Sequence, residues 1–399
     1  MKNLLRKMYR ILRARLLQRL IPKSHRPLPN SDDLYIEVIG FFNSISGIGE
    51  SARLCAQQLA ADGYSVKCTS VESYFRKPKE LAWDWPEPTF NNLTTPKVNC
   101  RIYHLNPPML PPVILQMGLV DFKKTYNIGY WAWELETIPA EWVRALRYMN
   151  AIFTPSRFTT SVIKRYTHSP VVTVTHPVNR GDAAAGIRAQ LHIPAEAFLI
   201  STIFSFGSAM ERKNPLGLIA AFKQAFINTP DAYLVLKANA GSNSPEKISL
   251  LKALAAHTNI ILIDQQWSRA DILGLIQCSD LYASLHRSEG FGLTMAEAML
   301  LDTPVLATSW SGNIDFCTAE NSFLVPYKPI KVNSTHPEFQ EFEDATWADA
   351  DIQYSARMLA EIYQSPELLA EKKQCCAQQM QTCIDQHKYR HALQQLINT

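Results

Sequence analysis

Apolar runs too short to be helices recur along this chain, each trailed by residues at helical spacing, and that alternation decides what it can fold into. Leu34–Phe42, Cys100–Leu105, Asn127–Trp131, Ala151–Thr154 and Val171–Thr175 form one set of strand-like runs. Phe198–Phe204, Tyr233–Lys237, Ile260–Asp264 and Leu281–Leu285 form another. Strand and helix in strict alternation build a doubly wound parallel sheet. Between the sets, His176-Pro177-Val178-Asn179-Arg180-Gly181-Asp182 breaks all periodicity, with His176 as a hinge residue. A chain of 399 residues is also too long for one ordinary core. The expectation is therefore α/β, with two doubly wound Rossmann-like domains at 32–178 and 183–365. A segment 1–31 precedes them and a helical stretch 366–399 follows. Trp347 to Tyr363 and Leu368 to Leu396 read as closing helices, and residues 76–96 as an irregular insertion.

Composition excludes several classes. Apolar residues make up 47% and charged residues 19%, which describes a folded globular protein. No apolar run is long enough to span a bilayer. The eight cysteines show neither zinc spacing nor a disulfide framework, so a reducing cytoplasm is the expected compartment. The net charge is +4, yet residues 1–31 hold nine Lys and Arg and no Asp or Glu, leaving the remainder acidic by about five. The basic character is local, which argues against a nucleic-acid-binding body. Leu5, Met8, Tyr9, Leu12, Leu16 and Leu20 recur at helical spacing, with Arg6, Arg10 and Arg13 on another side. That pattern reads as a basic amphipathic helix, and residues 1–24 could lie on an anionic membrane surface.

The chemistry gathers at glycine turns. Leu281–Leu285 leads into His286-Arg287-Ser288-Glu289-Gly290-Phe291-Gly292-Leu293-Thr294, and a helix packed through Met295, Ala298 and Met299 follows. A glycine turn entering a helix points unpaired N–H groups, here near Gly292, Leu293 and Thr294, at whatever lies above, an arrangement that suits phosphate. Glu289 and Glu297 flank the turn and would repel a phosphate, so they suit hydroxyls; the residues alone reach a phosphorylated polyol ligand. A second such turn, Gly47-Ile48-Gly49, follows the first strand. Arg212 and Lys213, beside a helix start at Pro215, are placed to neutralise a diphosphate. Trp133 and Glu134 follow a buried strand, where ligands bind in open α/β sheets. His104, at an earlier strand end, and Lys237 are further candidates. No Asp-x-Asp or His-rich ligand set is present, so no metal is expected.

Glu289 and Glu297, with Pro304-Val305-Leu306-Ala307-Thr308 after them, resemble the E-x7-E motif of retaining GT-B glycosyltransferases of the family 4 type. The resemblance implies that Glu289 contacts the donor sugar and Glu297 the nucleotide ribose. Arg212-Lys213-Asn214-Pro215 matches the family's diphosphate-binding pair, whereas Phe206-Gly207 stands where a further Arg is common. Gly47 and Gly49 look like the family's phosphate-side glycine loop. Gln265-Gln266-Trp267-Ser268 falls where relatives hold the nucleobase, implicating Trp267. Tyr130-Trp131-Ala132-Trp133-Glu134, with Pro139 and Trp142, is similar to a subset that builds bacterial surface polysaccharides. In many relatives a His near Trp133-Glu134 contacts the donor; it is missing here, and His104 could approach the site. The family fold sets two domains across a cleft, with the last helix returning to the first domain.

The implied activity is transfer of a hexose, mannose favoured, from a nucleotide sugar to a growing glycan or lipid-linked acceptor, with retention and without metal or other cofactor. Lys213, Arg212 and Glu289 would be catalytic. Glu297, Gly292, Leu293, Thr294, Gly47, Gly49 and Trp267 would bind the donor, and Trp133, Glu134 and His104 would line the sugar cleft. Two alternatives stay open: a nucleotide-sugar epimerase or hydrolase of the same fold, and a catalytically silent subunit of an assembly complex. The intact Glu289, Glu297 and Lys213 argue against silence.

Overall fold

The computed structural model describes residues 16–86, 97–239 and 258–398, apart from 18, 335, 341 and 343, together with Leu250 and Leu254. The amphipathic pattern over residues 1–15 and the second half of the 76–96 insertion lie outside the described residues. The chain forms two compact units: 1–133, 137–177 and 386–399 in the first, 134–136 and 178–385 in the second.

The first unit is a six-stranded parallel sheet of β1 (Tyr35–Gly40), β2 (Ser65–Ser70), β3 (Cys100–Tyr103), β4 (Tyr126–Tyr130), β5 (Ala151–Thr154) and β6 (Val171–Thr173). Its order is β2-β1-β3-β4-β5-β6, and every pairing is parallel. The chain passes from β1 to β2 on one side, then crosses back to β3 on the other side of β1. Ligands bind at such switch points, outside the carboxyl ends of the strands. Ile36, Val38, Ile102, Ile128 and Phe153 fill the core with helix Gly47–Ala61 and with the terminal helix Tyr389–Ile397, whose Tyr389, Leu393 and Leu396 are buried there.

The second unit repeats the plan with β7 (Phe198–Ser205), β8 (Ala232–Asn239), β9 (Ile260–Ile263), β10 (Leu281–Ser284), β11 (Val305–Thr308) and β12 (Ser322–Val325). The order β12-β11-β10-β7-β8-β9, parallel throughout, sets the switch point between β7 and β10. Period-two geometry sends Ile200 and Leu234 to one face and Leu199 and Val235 to the other. Both faces are covered, so the strands carry continuous apolar runs rather than alternating ones.

Three expectations need correction. Trp347 does not begin a helix: Thr346–Ala350 is strand β14, paired antiparallel with β13 (Tyr327–Lys331), and the helix starts at Ile352. Strand pairing with a distant partner overrides the local pattern, and buried Trp347 packs its ring against Phe339. Leu368–Leu396 is three helices, Pro366–Lys373, Cys376–Gln386 and Tyr389–Ile397. Of the stretch 366–399, only residues 386–399 join the first unit, and Glu134–Glu136 belong to the second. Among the described residues no helix is long and apolar enough to cross a membrane. The eight cysteines are all free.

The terminal helix is thus a core element rather than a tail. Leu393→Ala removes a fully buried side chain and should cost about 2–5 kcal/mol. Urea unfolding would show it as a lowered midpoint, whereas His391→Ala on the exposed face should stay within about 0.5 kcal/mol of the parent.

Candidate active site

The loops at the carboxyl ends of β7 and β10 build one cluster at the second unit's switch point. After Ser205 the chain makes a single helical turn, Met210–Lys213, bracketed by two residues of positive φ: Ala209 (59°) and Asn214 (51°). Asn tolerates the left-handed region because its short side chain bonds locally. Here Asn214 Oδ1 caps helix Pro215–Ala225 by accepting from Gly217 N at 3.2 Å, and Nδ2 donates to Leu285 O at 2.9 Å. Arg287 N donates to Arg212 O at 2.7 Å. The turn carrying Arg212 and Lys213 is therefore tied to the β10 loop.

Glu289 stands on that loop between the two cations. Its Oε1 lies 2.5 Å from Lys213 Nζ, and Oε2 lies 3.2 Å from Arg212 Nη1. Arg212 is buried, donating from Nη1 to Ser288 O at 2.8 Å, with Nη2 3.6 Å from Glu134 Oε1. Ser288 Oγ donates to Glu134 O. The Glu289 backbone is held as well: its N–H donates to Ser311 Oγ at 2.8 Å, and Gly312 N donates to Glu289 O at 2.9 Å. A Cβ on Gly312 would sit 2.3 Å from Gly290 O, so only glycine fits there. Behind the loop, buried His286 has acceptors Asn313 Oδ1 (3.1 Å) and Trp310 O (3.2 Å) at Nε2, so the proton is assigned to Nε2 and Ser284 Oγ donates to Nδ1 at 3.1 Å. Burial lowers its pKa, and it is a neutral structural imidazole.

The two carboxylates separate in pKa. Burial pushes Glu289 upward, but Lys213 and Arg212 outweigh it and hold the group at about 2. Glu134 is raised to about 7: burial dominates, Arg212 offsets only part of it, and Glu338 and Glu289 add repulsion. Burial lowers Lys213 despite Glu289. Arg212 stays cationic because Glu289 and Glu134 overcome the burial that would discharge it.

Beyond the loop, Gly292 (φ 101°) is the N-cap of helix Leu293–Leu300 and offers no side chain to the first-turn N–H groups. Tyr282 O–H donates to Thr294 Oγ1 at 2.7 Å, fixing that hydroxyl at the helix start. Glu297 is buried one turn further on, with Oε1 2.8 Å from Nη2 of half-exposed Arg269. Trp267 is partly buried against the Ile187–Leu275 cluster, immediately before Ser268, which caps the helix Arg269–Cys278.

In the first unit, Gly47 and Gly49 open helix Gly47–Ala61. Gly49 is required by packing, since a Cβ there would lie 2.6 Å from both Phe41 O and Ser44 O. His104 shares the β1/β3 switch point with that helix, and its Nδ1 is 2.8 Å from Ser51 Oγ. Its ring is buried and stacked 4.5 Å from Tyr130, and burial lowers its pKa well below the usual value. His176, the expected hinge, is also buried, with Nδ1 3.2 Å from Tyr130 Oη. Trp133 does not line a sugar cleft. It is fully buried, donates from Nε1 to Thr137 O at 2.7 Å and packs 4.7 Å from Trp142. Glu134, grouped with it by sequence, joins the Arg212 cluster instead. Sequence reasoning missed Ser288, Ser311 and Arg269. Ser311 alone left a trace, a Ser-Gly-Asn turn after β11. Among the described residues no group of His, Cys, Asp and Glu is arranged to hold a metal ion.

Residues 200–332 match the family model of glycosyl transferases group 1. The matched span lies within the second unit. That span includes Arg212, Lys213, Glu289 and Glu297. No curated protein matches the sequence. Solved structures do match in fold. Sucrose-phosphate synthase from Thermosynechococcus elongatus superposes with TM-score 0.65 at 14% identity, covering 91% of this chain and 97% of that one. A glycosyltransferase from Rickettsia africae gives 0.64 at 13%, covering 92% and 97%. HepE from Anabaena in complex with UDP-glucose gives 0.62 at 13%, covering 92% and 98%. The fold is GT-B, two Rossmann-like units.

The raised Glu134 has a stability signature. Its folded pKa of about 7 exceeds the ordinary 4.5, so its contribution is fully present below 4.5 and is lost as pH rises through 7. Glu289 behaves oppositely: its contribution is present above 4.5 and is lost as pH falls through about 2. Glu134→Gln should therefore flatten the decline in unfolding free energy between pH 5 and 8 by an amount on the order of 1–3 kcal/mol. Chemical denaturation at both pH values checks it.

Proposed function

We propose that this protein transfers a hexosyl group, with mannose the leading choice, from a nucleotide sugar to a growing glycan or lipid-linked acceptor in surface-polysaccharide synthesis, with retention of configuration and without a metal. The observation that carries the reading is the Glu289 carboxylate held between Lys213 and Arg212 beside the open helix start at Gly292. A diphosphate entering there takes the two cations from Glu289 and gains the first-turn N–H groups of helix Leu293–Leu300. As the anomeric C–O bond breaks, charge grows on the departing phosphate oxygen, and Lys213 and Arg212 stabilise it. Glu289, released from its ion pairs, accepts from a hydroxyl of the donor sugar. Glu297, oriented by Arg269, accepts from the ribose. Supporting context comes from neighbours of the same fold: HepE is solved with UDP and glucose, and the pneumococcal O-GlcNAc transferase GtfA with UDP and GlcNAc. The acid-free residues 1–24 would hold the enzyme at an anionic membrane surface, where a lipid-linked acceptor resides.

A thermal-stabilisation screen of GDP-mannose, UDP-glucose and UDP-GlcNAc identifies the donor, and NMR of the product anomer tests retention. No stabilisation by any nucleotide sugar would sink the reading.

The two glutamates should separate. Glu289 competes with phosphate for Lys213 and Arg212, so Glu289→Gln should bind nucleoside diphosphate as tightly as the parent, or tighter, while turnover falls about ten- to a hundredfold. Glu297→Gln should weaken nucleoside diphosphate itself by about ten- to a hundredfold, since the ribose is present without the sugar. Calorimetric titration distinguishes the two; identical profiles would refute the assignment.

Lys213→Ala should lower kcat on the order of a hundredfold, with a smaller change in donor affinity. A change confined to KM would make Lys213 a uniform binder rather than a transition-state stabiliser.

A further inference from the structure

Opposite the carboxyl ends of its sheet, the first unit has a groove apart from its own switch point. It runs across the N-terminal ends of β4, β5 and β6, where Tyr126, Asn150 and Pro170 line it, and has a volume of about 720 Å³. Lys23, Arg26 and Arg147 supply charge to its walls, and no Asp or Glu lines it.

The cations sit on fixed backbone. Ile21 is fully buried. Ser24, also buried, donates to Thr125 O at 2.7 Å and Lys123 O at 3.1 Å, and Asn150 Nδ2 donates to Ser24 O at 3.0 Å. Lys23 Nζ reaches Ser169 Oγ at 3.5 Å. Residues 21–26 are thus part of the body, and their buried bonds turn Lys23 and Arg26 outward into the groove.

Apolar side chains accompany the charge. Val143 and Tyr166, on the groove wall, are 37% and 36% exposed. Leu16 and Leu20, one helical turn apart just upstream, are 57% and 48% exposed. A free phosphate makes no use of the exposed Val143 and Tyr166 and fills a small part of this volume. An amphiphile satisfies both chemistries, with an anionic phosphate among the cations and hydrocarbon against Val143 and Tyr166.

We infer that this groove binds the phosphate headgroup of an anionic lipid. It is a docking site on the folded body, formed where the end of the basic segment, Lys23–Arg26, meets Arg147 and the strand ends. The inference deepens the membrane reading above and rests on it: the groove fixes which face of the first unit meets the lipid. The carboxyl ends of the strands, with the β1/β3 switch point, lie at the opposite end of that sheet.

The test is flotation of the full-length protein with phosphatidylcholine vesicles, with and without phosphatidylglycerol. The variants are Arg147→Glu and the triple Lys23→Ala, Arg26→Ala, Arg147→Ala. Near an anionic surface each Lys or Arg contributes roughly fivefold to partitioning, so the triple variant should bind about a hundredfold more weakly. Its nucleotide-sugar affinity should match the parent, which also establishes that it is folded. Parental flotation by the triple variant would overturn the inference, assigning membrane binding to the terminal segment alone. Equal parental binding to both vesicle types would also overturn it. So would stabilisation by inorganic phosphate that the triple variant loses while its flotation is unchanged, the signature of a soluble ligand. If the parent floats as expected but binds no nucleotide sugar, the proposed transferase activity fails and the groove assignment stands.

Discussion

Glu289 is a carboxylate withdrawn from water together with two cations, and the loops at the second unit's switch point are arranged around that arrangement. Removing an ion from water costs several kcal/mol, which attraction offsets only if geometry is good and the remaining bonding positions are filled. Here that is achieved in large part: Lys213 and Arg212 take one oxygen each, Ser288 O takes a further N–H of Arg212, and Arg212 Nε alone is left without a partner. The consequence is chemical. In the proposed reading the donor's phosphate oxygens replace those of the carboxylate, so exchange substitutes one set of charge-assisted bonds for another. The cations are preorganised without standing bare in a low dielectric.

Holding them there strains the backbone. Ala209 lies at φ 59° and ψ 101°, and Ser311 at φ 78° and ψ −141°, conformations that L-residues rarely adopt. Each costs on the order of 1–3 kcal/mol and persists only where surroundings impose it. Ala209 opens the turn that presents Arg212 and Lys213. Ser311 places its hydroxyl under the Glu289 N–H. The strands beneath, β7, β10 and β11, are buried on both faces, and that packing is what overdetermines the loops above them. Among the described residues, three of the six non-glycine positions with positive φ, Ala209, Asn214 and Ser311, thus border the charged cluster.

What sequence could convey follows the same division between local and tertiary causes. The parallel strands were legible because burial on both faces forces near-continuous apolar runs. Arg212, Lys213, Glu289 and Glu297 were legible because each lies within a few residues of a glycine turn or a helix start. Thr346–Ala350 was not, because Trp-Ala-Asp-Ala reads as helix until Tyr327–Lys331 is known to lie beside it. Glu134 and Arg269 owe their roles to partners far away in the chain, Arg212 and Glu297. Trp133 was misassigned for a related reason. A Trp after a strand end looks the same in sequence whether it faces a ligand or, as here, Trp142 and Thr137 O.

The two cationic features of this molecule operate in different dielectric regimes, which determines how each responds to its surroundings. Arg212 and Lys213 are largely enclosed, and their partners lie within 2.5–3.6 Å. Mobile ions enter such a space poorly, so salt hardly alters the interaction. Lys23, Arg26 and Arg147 are exposed, and their attraction to a charged surface decays over a Debye length of about 8 Å at physiological ionic strength. Ionic strength therefore acts on the groove while leaving the Glu289 cluster nearly untouched. If both proposals hold, salt releases the protein from a membrane surface without loosening a bound diphosphate, because one interaction is a matter of screened long-range charge and the other of buried short-range bonds.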